Sequence, residues 1–344
     1  MPSIVCLLGI AWLCLLLAIA CQPELSPPPP PTPNPPPTTL QRVQQRGRVI
    51  CGVNGRLKGF SYLDASGKWS GMEIDLCAAI AAAVLGKPTA ITLRPIPPTD
   101  RFTSLKRGEI DVLFRDTAWT LSRSADPELS FAPVYFYDHQ GILVKRGQGS
   151  FSDLNNQNLC SEAGDSQQQL ASFLQSLRLK VNILAFPDSG IALDQFQRGG
   201  CVAISLNRSQ LQSWQRQQAN PNNWRILPLS FGREPFAPVV ASRDPQWHRI
   251  VSWVIFALIY AEEQGISQSN FRQYQNNNNP EIARFLGTSG DLALRLGLPP
   301  DWTTQILQAV GNYQEIYNRH LPDLPRQLNR TQANGGLLYS MPFR

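Results

Sequence analysis

The sequence predicts an α/β protein built from two lobes. Segments typical of strands and helices alternate near the start of the body, and a second series of the same kind begins near Leu159 and runs past Leu206. This alternation is typical of a largely parallel sheet with helices on its faces. The length of 344 residues also favours two lobes over one.

The first series can be followed element by element. Apolar residues between Met72 and Leu85 recur close to helical spacing, and Gly86 and Pro88 are residues that end a helix. Thr99 or Asp100 can cap the next helix. The predicted elements are a strand at 48–53, a helix at 72–85, a strand at 89–96, a short helix at 99–106 and a strand at 111–114. In the second series we expect a helix at 167–177. Later, the apolar run 251–260 predicts a buried helix, too short to span a bilayer.

Composition excludes several classes of protein. The chain is 42% hydrophobic and 16% charged, which is incompatible with global disorder. The net charge of +6 comes from scattered residues without a block of like charges, so we expect no nucleic-acid partner. His139, His248 and His320 are far apart, and the cysteine spacings do not fit a metal or redox motif. No metal or cofactor is expected.

The N-terminus predicts export. Residues 1–20 contain no charged side chain, and the apolar run from Ile4 to Cys21 is long enough for a secretion signal and near the lower limit for a membrane-spanning helix. The small residues before Cys21 resemble the lipobox of bacterial lipoproteins, although Ala18 stands where Leu is usual and no Lys or Arg precedes the run. We expect a signal peptide at 1–20 and lipid on Cys21. An uncleaved anchor is the alternative.

A proline-rich segment follows the predicted lipid site. Ten of the sixteen residues from Gln22 to Pro37 are proline, so the segment cannot form a helix or a central strand. An extended polyproline chain rises about 3.1 Å per residue and here would span roughly 50 Å. Recruitment of a partner domain is one interpretation, but a tether over residues 21–39 is favoured by its position.

Four cysteines remain in the exported body. Cys6 and Cys14 leave with the signal, and an even number in an oxidising compartment predicts two disulfides with three possible connectivities. One pair belongs to the first strand–helix unit and the other to a later region. We therefore expect disulfides joining Cys51 to Cys77 and Cys160 to Cys201.

Several segments of the body together resemble a known family. They are 46–53 (RGRVICGV), 67–77, 111–123, 234–240, 256–263 and 309–316, with Gly335-Gly336-Leu337 near the end. In this order they resemble the periplasmic solute-binding proteins of polar amino-acid ABC transporters, in particular the general L-amino-acid branch (bacterial extracellular solute-binding proteins, family 3). The resemblance covers residues 40–344.

The resemblance implies a fold and a function. The fold is a two-lobed clamshell of type II, with two mixed sheets flanked by helices. Residues 40–139 and 238–344 would form lobe 1 and 140–237 lobe 2, with a two-stranded hinge near 138–142 and 236–241. The lobes would close on a free L-amino acid, neutral or polar, and deliver it to an ABC permease. The protein would be a monomer, not an enzyme, in the periplasm or cell envelope.

The resemblance also implies a carboxylate site. Arg123 matches the family's carboxylate-binding arginine, whose planar fork can bond both oxygens. The second partner would be the helix N-terminus at Gly164, Asp165 and Ser166, where Ser166 occupies the place of the usual Thr. The Asp165 carboxylate would repel a ligand carboxylate unless its side chain caps the helix and points away from the ligand. Helix capping without a ligand is the alternative.

Two positions depart from the family in a compensating way. Asn207 stands where an Asp of lobe 2 usually binds the α-amino group, and Asp116 stands where related sequences carry Asn. We hypothesise that the carboxylate has crossed the cleft, so that Asp116 pairs with the ammonium and Asn207 supplies a neutral acceptor. Alternatively, Asp116 only pairs with Arg115 or Arg123.

The remaining expected site residues are apolar or small. Phe60, Trp119 and Tyr62 can provide walls for the ligand's side chain, although packing is the alternative for each. Thr117 and Ala118 belong to the same motif as Arg123, and Ala118 replaces a usual Thr or Ser.

Two other functional classes stay open. An enzyme of the same fold, such as a cyclohexadienyl or arogenate dehydratase, needs an acid or base over the substrate, and Asp116 is the only candidate in the cleft segments. A ligand-sensing or degenerate binding lipoprotein is the third class.

Overall fold

A computed structural model describes residues 36–147 and 150–344 of the chain. Thr38–Arg344 form one compact unit. The predicted signal peptide, Cys21 and most of the tether lie outside the described residues. Among the helices that are described, none is both long enough and apolar enough to cross a membrane.

The described chain contains alternating short strands and helices, followed by a helical C-terminal region. The first stretch contains α1 (Thr39–Arg46), β1 (Val49–Val53), β2 (Arg56–Leu57), β3 (Ser61–Leu63), β4 (Trp69–Ser70), α2 (Met72–Leu85), β5 (Ile91–Pro95), α3 (Arg101–Lys106), β6 (Val112–Leu113), α4 (Leu121–Ser124) and β7 (Leu129–Phe131). The second contains β8 (Phe136–Lys145), β9 (Asn158–Glu162), α5 (Asp165–Ser176), β10 (Asn182–Phe186), α6 (Ser189–Gln197), β11 (Ala203–Asn207), α7 (Arg208–Arg216), β12 (Trp224–Ile226) and β13 (Phe231–Phe236). The third contains β14 (Val239–Ala241), α8 (Pro245–Glu263), α9 (Pro280–Phe285), α10 (Leu292–Leu296), α11 (Trp302–Val310) and α12 (Tyr313–His320).

Lobe 1 is built on a mixed sheet with the strand order β5-β1-β6-β14-β7. Strand β1 runs parallel to β5 and β6, while β14 is antiparallel to β6 and β7. Helix α2 has the predicted bounds and ends where Gly86 adopts the left-handed conformation (φ 64°). The predicted disulfide between Cys51 and Cys77 is present and joins β1 to α2. The small sheet β2-β3-β4 was not predicted.

Lobe 2 contains the second mixed sheet, with the order β10-β9-β11-β8-β12 and β13 paired to β8. Its strand–helix alternation follows the second predicted series. The helix predicted at 167–177 begins two residues earlier, at Asp165. The second predicted disulfide is present between Cys160 and Cys201, whose Cα atoms are 5.7 Å apart.

Strands β8 and β13 form the two connections between the lobes. They pair antiparallel, with Phe136 opposite Phe236 and Asp138 opposite Glu234. The two phenylalanines pack in the core of lobe 1, while the same strands continue into the sheet of lobe 2. Strand β13 pairs within the second sheet and β14 belongs to the first, so the chain returns to lobe 1 between them.

The C-terminal helices complete lobe 1. Helix α8 is mostly buried, as predicted for residues 251–260, and it packs against α2, α11 and α12. The segment after the last helix then contacts the connecting strand β8. There Asn329 accepts from the Tyr137 amide (2.7 Å) and its Nδ2 donates to the Tyr137 carbonyl (3.0 Å). This segment is therefore bonded to β8 at the crossing.

Candidate functional site

A cavity of ≈ 550 Å³ lies between the two lobes. Its lining comes from the loops after β5 and β6 in lobe 1 and from the ends of β9 and β11 in lobe 2. Because the carboxyl ends of parallel strands are where α/β sheets form ligand sites, this is the expected position for one. Five predicted site residues line it: Asp116, Arg123, Asp165, Ser166 and Asn207.

Arg123 is held on lobe 1 and extends to lobe 2. Thr120 caps the short helix α4, and the Arg123 Nη1 donates to the Ala118 carbonyl at 2.7 Å. Its Nη2 lies 3.0 Å from the Asp165 Oδ2 across the cleft. The Asp165 side chain therefore points toward Arg123 and the cavity and does not point away from the site. Its carboxylate occupies one edge of the guanidinium, where an anionic ligand group would also bind.

Asp116 follows β6 and has a strained backbone, with φ 40°. Its amide donates to the Glu73 Oε1 at 2.7 Å. Its carboxylate accepts from the Asn54 Nδ2 (3.3 Å) and, across the cleft, from the Gln210 Nε2 (3.0 Å). The Arg115 Nη1 is 3.9 Å away, a loose ion pair. Among the described residues, no cation donates a hydrogen bond to this carboxylate.

The carboxylate of Glu73 supports this arrangement from behind. It is fully buried and also accepts from the Ser61 hydroxyl (2.7 Å) and the Tyr135 hydroxyl (2.5 Å). Burial first, and the nearby Asp116 charge second, raise the pKa of Glu73. The strained turn is therefore fixed by a buried hydrogen-bond network.

Asn207 ends β11 and belongs to a second network. Its Oδ1 accepts from the Gln140 Nε2 at 2.7 Å, and that same nitrogen lies 3.4 Å from the Ser166 hydroxyl. Gln140 is on β8, at the connection between the lobes, and its own Oε1 is buried without a hydrogen-bond partner among the described residues. Asn207 and Ser166 are therefore held together with a connecting strand.

Five of the residues predicted for the site are not among those that line this cavity: Phe60, Tyr62, Thr117, Ala118 and Trp119. Phe60 is fully buried in the core of lobe 1, 4.9 Å from the Phe136 ring, because the connecting strands bring that ring over it. Thr117 is also fully buried, and its hydroxyl donates to the Arg115 carbonyl. Ala118 is 3% exposed. Trp119 is on the outside, stacked on Phe131 with the ring centroids 5.6 Å apart.

Four charged residues of the cavity were not predicted from the sequence: Arg101, Asp126, Glu162 and Glu234. The Arg101 Nε is buried without a hydrogen-bond partner among the described residues. Burial, followed by repulsion from Arg123 and Arg115, lowers the pKa of Arg101 to about 10. Burial and the Asp116 charge raise the pKa of Glu162 to about 7. Arg101 lies in the short helix predicted at 99–106, and Glu162 lies just after Leu159, where the second predicted series begins.

The arrangement of charges is typical of a site for a small zwitterion. Arginines of lobe 1 and carboxylates of both lobes face one cavity, and a buried charge must find a partner of opposite sign. The described residues contain no group of three His, Cys, Asp or Glu side chains that could hold a metal.

Residues 49–323, inside the described unit, match the bacterial extracellular solute-binding proteins, family 3. The chain belongs to this family.

Relatives in the family extend the comparison over the whole body. The General L-amino acid-binding periplasmic protein AapJ of Rhizobium johnstonii is 38% identical, covering 89% of this chain and 93% of its own. The glutamate/glutamine/aspartate/asparagine-binding protein BztA of Rhodobacter capsulatus is 36% identical, covering 89% of this chain and 94% of its own.

A solved structure matches the fold at full length. A periplasmic binding protein of an ABC transporter from Brucella ovis, with glutathione bound, superimposes with a TM-score of 0.85 at 34% identity. It covers 90% of this chain, and this chain covers all of it. An ancestral amino-acid-binding protein described as a precursor of cyclohexadienyl dehydratase has a TM-score of 0.55 at 22% identity, which shows a shared fold alone.

Proposed function

We propose that this protein binds a free L-amino acid between its lobes and delivers it unchanged to an ABC permease. The observation that carries the proposal is the placement of Arg123 and Asp116 in one interlobe cavity, since an amino acid presents one carboxylate and one ammonium. The names of the two relatives above support the same class of ligand.

The carboxylate would bind at Arg123 and the start of α5. Its two oxygens match the guanidinium fork, and the first free amides of a twelve-residue helix add a favourable dipole end. The ligand would have to displace the Asp165 carboxylate from the Arg123 Nη2. Asp165 is half-exposed, so its carboxylate can return to water when it is displaced.

The ammonium would bind at Asp116. This carboxylate accepts only amide donors within hydrogen-bond distance among the described residues, so an ammonium would gain an ionic hydrogen bond there. Asn207 would supply a neutral acceptor after its bond to Gln140 rearranges. Asp116 of lobe 1 would thus take the ammonium-binding role that an acidic residue of lobe 2 usually has in this family.

Ligand binding would be coupled to contact between the lobes. Polar contacts already join the lobes across the cleft, among them Arg123 to Asp165, Gln210 to Asp116, and the Ser213 hydroxyl to the Lys58 carbonyl at 3.3 Å. A ligand that takes over the first two would join the same surfaces through its own charges. Closure would then present a defined surface to the permease.

Arg101 and Glu162 would select the ligand's side chain. The Arg101 guanidinium can take an acidic or amide group, while a protonated Glu162 can donate to one. We therefore propose a broad preference that includes polar and acidic side chains.

The pH dependence of glutamate binding is expected to follow the protonation of the Glu162 carboxyl. With a pKa of about 7, its carboxyl is largely neutral at pH 6 and charged at pH 8. A bound anion favours the neutral form and raises this pKa further, so binding takes up a proton and affinity falls as pH rises. The fall cannot exceed about tenfold per pH unit for one group.

Titrations of L-glutamate and L-glutamine at pH 6, 7 and 8 test this expectation. Glutamine is the matched neutral ligand and should lose less affinity over the same range. Glu162→Gln should flatten the glutamate profile. An unchanged profile in the variant would assign the titration to another group.

Residues 1–39 would place the protein at the cell envelope. We propose that the signal is removed, that lipid on Cys21 anchors the chain, and that the proline-rich segment separates the body from the membrane. The family is periplasmic by the names of its members above. A monomer is sufficient, because both halves of the cavity come from one chain.

Calorimetric titration against the twenty L-amino acids tests the proposed function. The protein should be refolded first, to remove carried-over ligand. Micromolar or tighter binding of several amino acids is expected, with each ligand recovered unchanged by chromatography. Conversion of the ligand would instead indicate an enzyme of this fold, and no binding would indicate a changed or lost specificity.

A further inference from the structure

A second cavity, of ≈ 420 Å³, adjoins the first between the same two lobes. Pro98 lines both cavities. Asn54 and Gln210 line the second cavity, and both donate to Asp116, which lines the first. The partition between the cavities is therefore made of side-chain amides hydrogen-bonded to one carboxylate. A ligand amide can replace such bonds without movement of the backbone.

Two consecutive residues of the loop after β6 line opposite sides of this partition. Asp116 lines the first cavity and Arg115 the second. Arg115 is 6% exposed, and its Nε donates to the Ile96 carbonyl at 2.7 Å, which fixes the side chain. The positive φ of Asp116 gives the chain the turn that separates the two side chains. The proposed ammonium partner in the first cavity and a fixed cation in the second cavity are thus neighbours in the chain.

The second cavity carries an excess of positive charge. Its cations are Arg56, Lys58 and Arg115, against the single carboxylate of Asp188. That carboxylate is occupied at the start of α6, where it accepts from the Ile191 amide at 2.9 Å. The Lys58 Nζ is 5.0 Å from the centre of the Tyr62 ring, so an aromatic wall orients it. Such a cavity fits a carboxylate.

We propose that the second cavity binds the distal carboxylate of a small peptide whose α-amino-acid end occupies the first cavity. The inference rests on the proposed function for the first cavity and adds a ligand class to it. The peptide would cross the partition beside Asp116, and its amide groups would take over the bonds now made by Gln210. Arg56, Lys58 and Arg115 would then neutralise the carboxylate at its far end.

Glutathione and its glycine monoethyl ester are suitable probes. Glutathione has one α-amino-acid end and a second carboxylate at the far end, while the ester has nearly the same size without that charge. Calorimetric titration of the protein with both probes and with L-glutamate should be repeated for Arg56→Ala/Lys58→Ala. The matched control is Lys68→Ala/Lys87→Ala, which removes the same charge from exposed positions that line neither cavity.

Glutathione is expected to bind at least tenfold more tightly than its ester. The Arg56→Ala/Lys58→Ala variant should lose this advantage and keep its affinity for L-glutamate, while the control variant keeps both. Glutathione binding that is equal to that of the ester, or unchanged in the cleft variant, overturns the inference. Absence of glutathione binding to the unaltered protein also overturns it, whatever the amino acids do. Variant-sensitive glutathione binding without any amino-acid binding supports it and contradicts the proposed function instead.

Discussion

Arg123→Ala is expected to weaken amino-acid binding by about 30-fold or more. The guanidinium is the cation that the ligand carboxylate would meet, and loss of one partner of a buried, hydrogen-bonded charge pair costs about 2–5 kcal/mol. Each 1.4 kcal/mol corresponds to a factor of ten in the dissociation constant. Calorimetric titration with the ligand that binds the unaltered protein most tightly measures the loss.

Asp165→Asn separates ligand binding from contact between the lobes. Arg123 pairs with Asp165 across the cleft at 3.0 Å, so Arg123→Ala also removes an interlobe ion pair. If that ion pair were the reason for the loss, Asp165→Asn would weaken binding as well. We expect the opposite, unchanged or tighter binding, because this variant removes the carboxylate that competes for the guanidinium. Arg123→Lys should be intermediate, since it keeps the charge without the planar fork.

Asp116→Asn is expected to weaken binding by about 30-fold. The reason is the loss of the ionic partner of the ligand's ammonium, worth about 2 kcal/mol or more. Asn tolerates the left-handed backbone that this position requires (φ 40°), so the turn should be kept. The thermal unfolding temperature of the variant serves as the check that the fold is intact.

A second substitution shows whether the carboxylate has crossed the cleft. Adding Asn207→Asp to Asp116→Asn restores an acid at the position where the family usually has one, and it should recover part of the lost affinity. Asn207→Asp alone places two acids in one cavity and should give little or no gain. Unchanged affinity in Asp116→Asn would show that Asp116 serves only as the partner of Arg115, 3.9 Å away.

The sequence by itself determined most of the local structure. Helix α2 has the predicted bounds because apolar spacing and Gly86 are local signals that act within a few residues. Both disulfides join the predicted cysteines: Cys51 and Cys77 lie in one strand–helix unit, whereas Cys160 and Cys201 meet because the neighbouring strands β9 and β11 pair. The buried helix α8 follows from an apolar run alone. Arg123 and Asp116 were found through a motif that is continuous in the chain.

Only the tertiary structure decided which side chains face the cleft. Phe60 is a core residue because the connecting strands bring Phe136 against it, and no local signal reports that contact. Gln210 meets Asp116 across 94 residues of sequence, and the direction of Arg101 and Glu162 depends on how two lobes approach each other. Local propensity acts along the chain, whereas burial and charge pairing depend on neighbours from distant segments, so the composition of the cavity required the folded lobes.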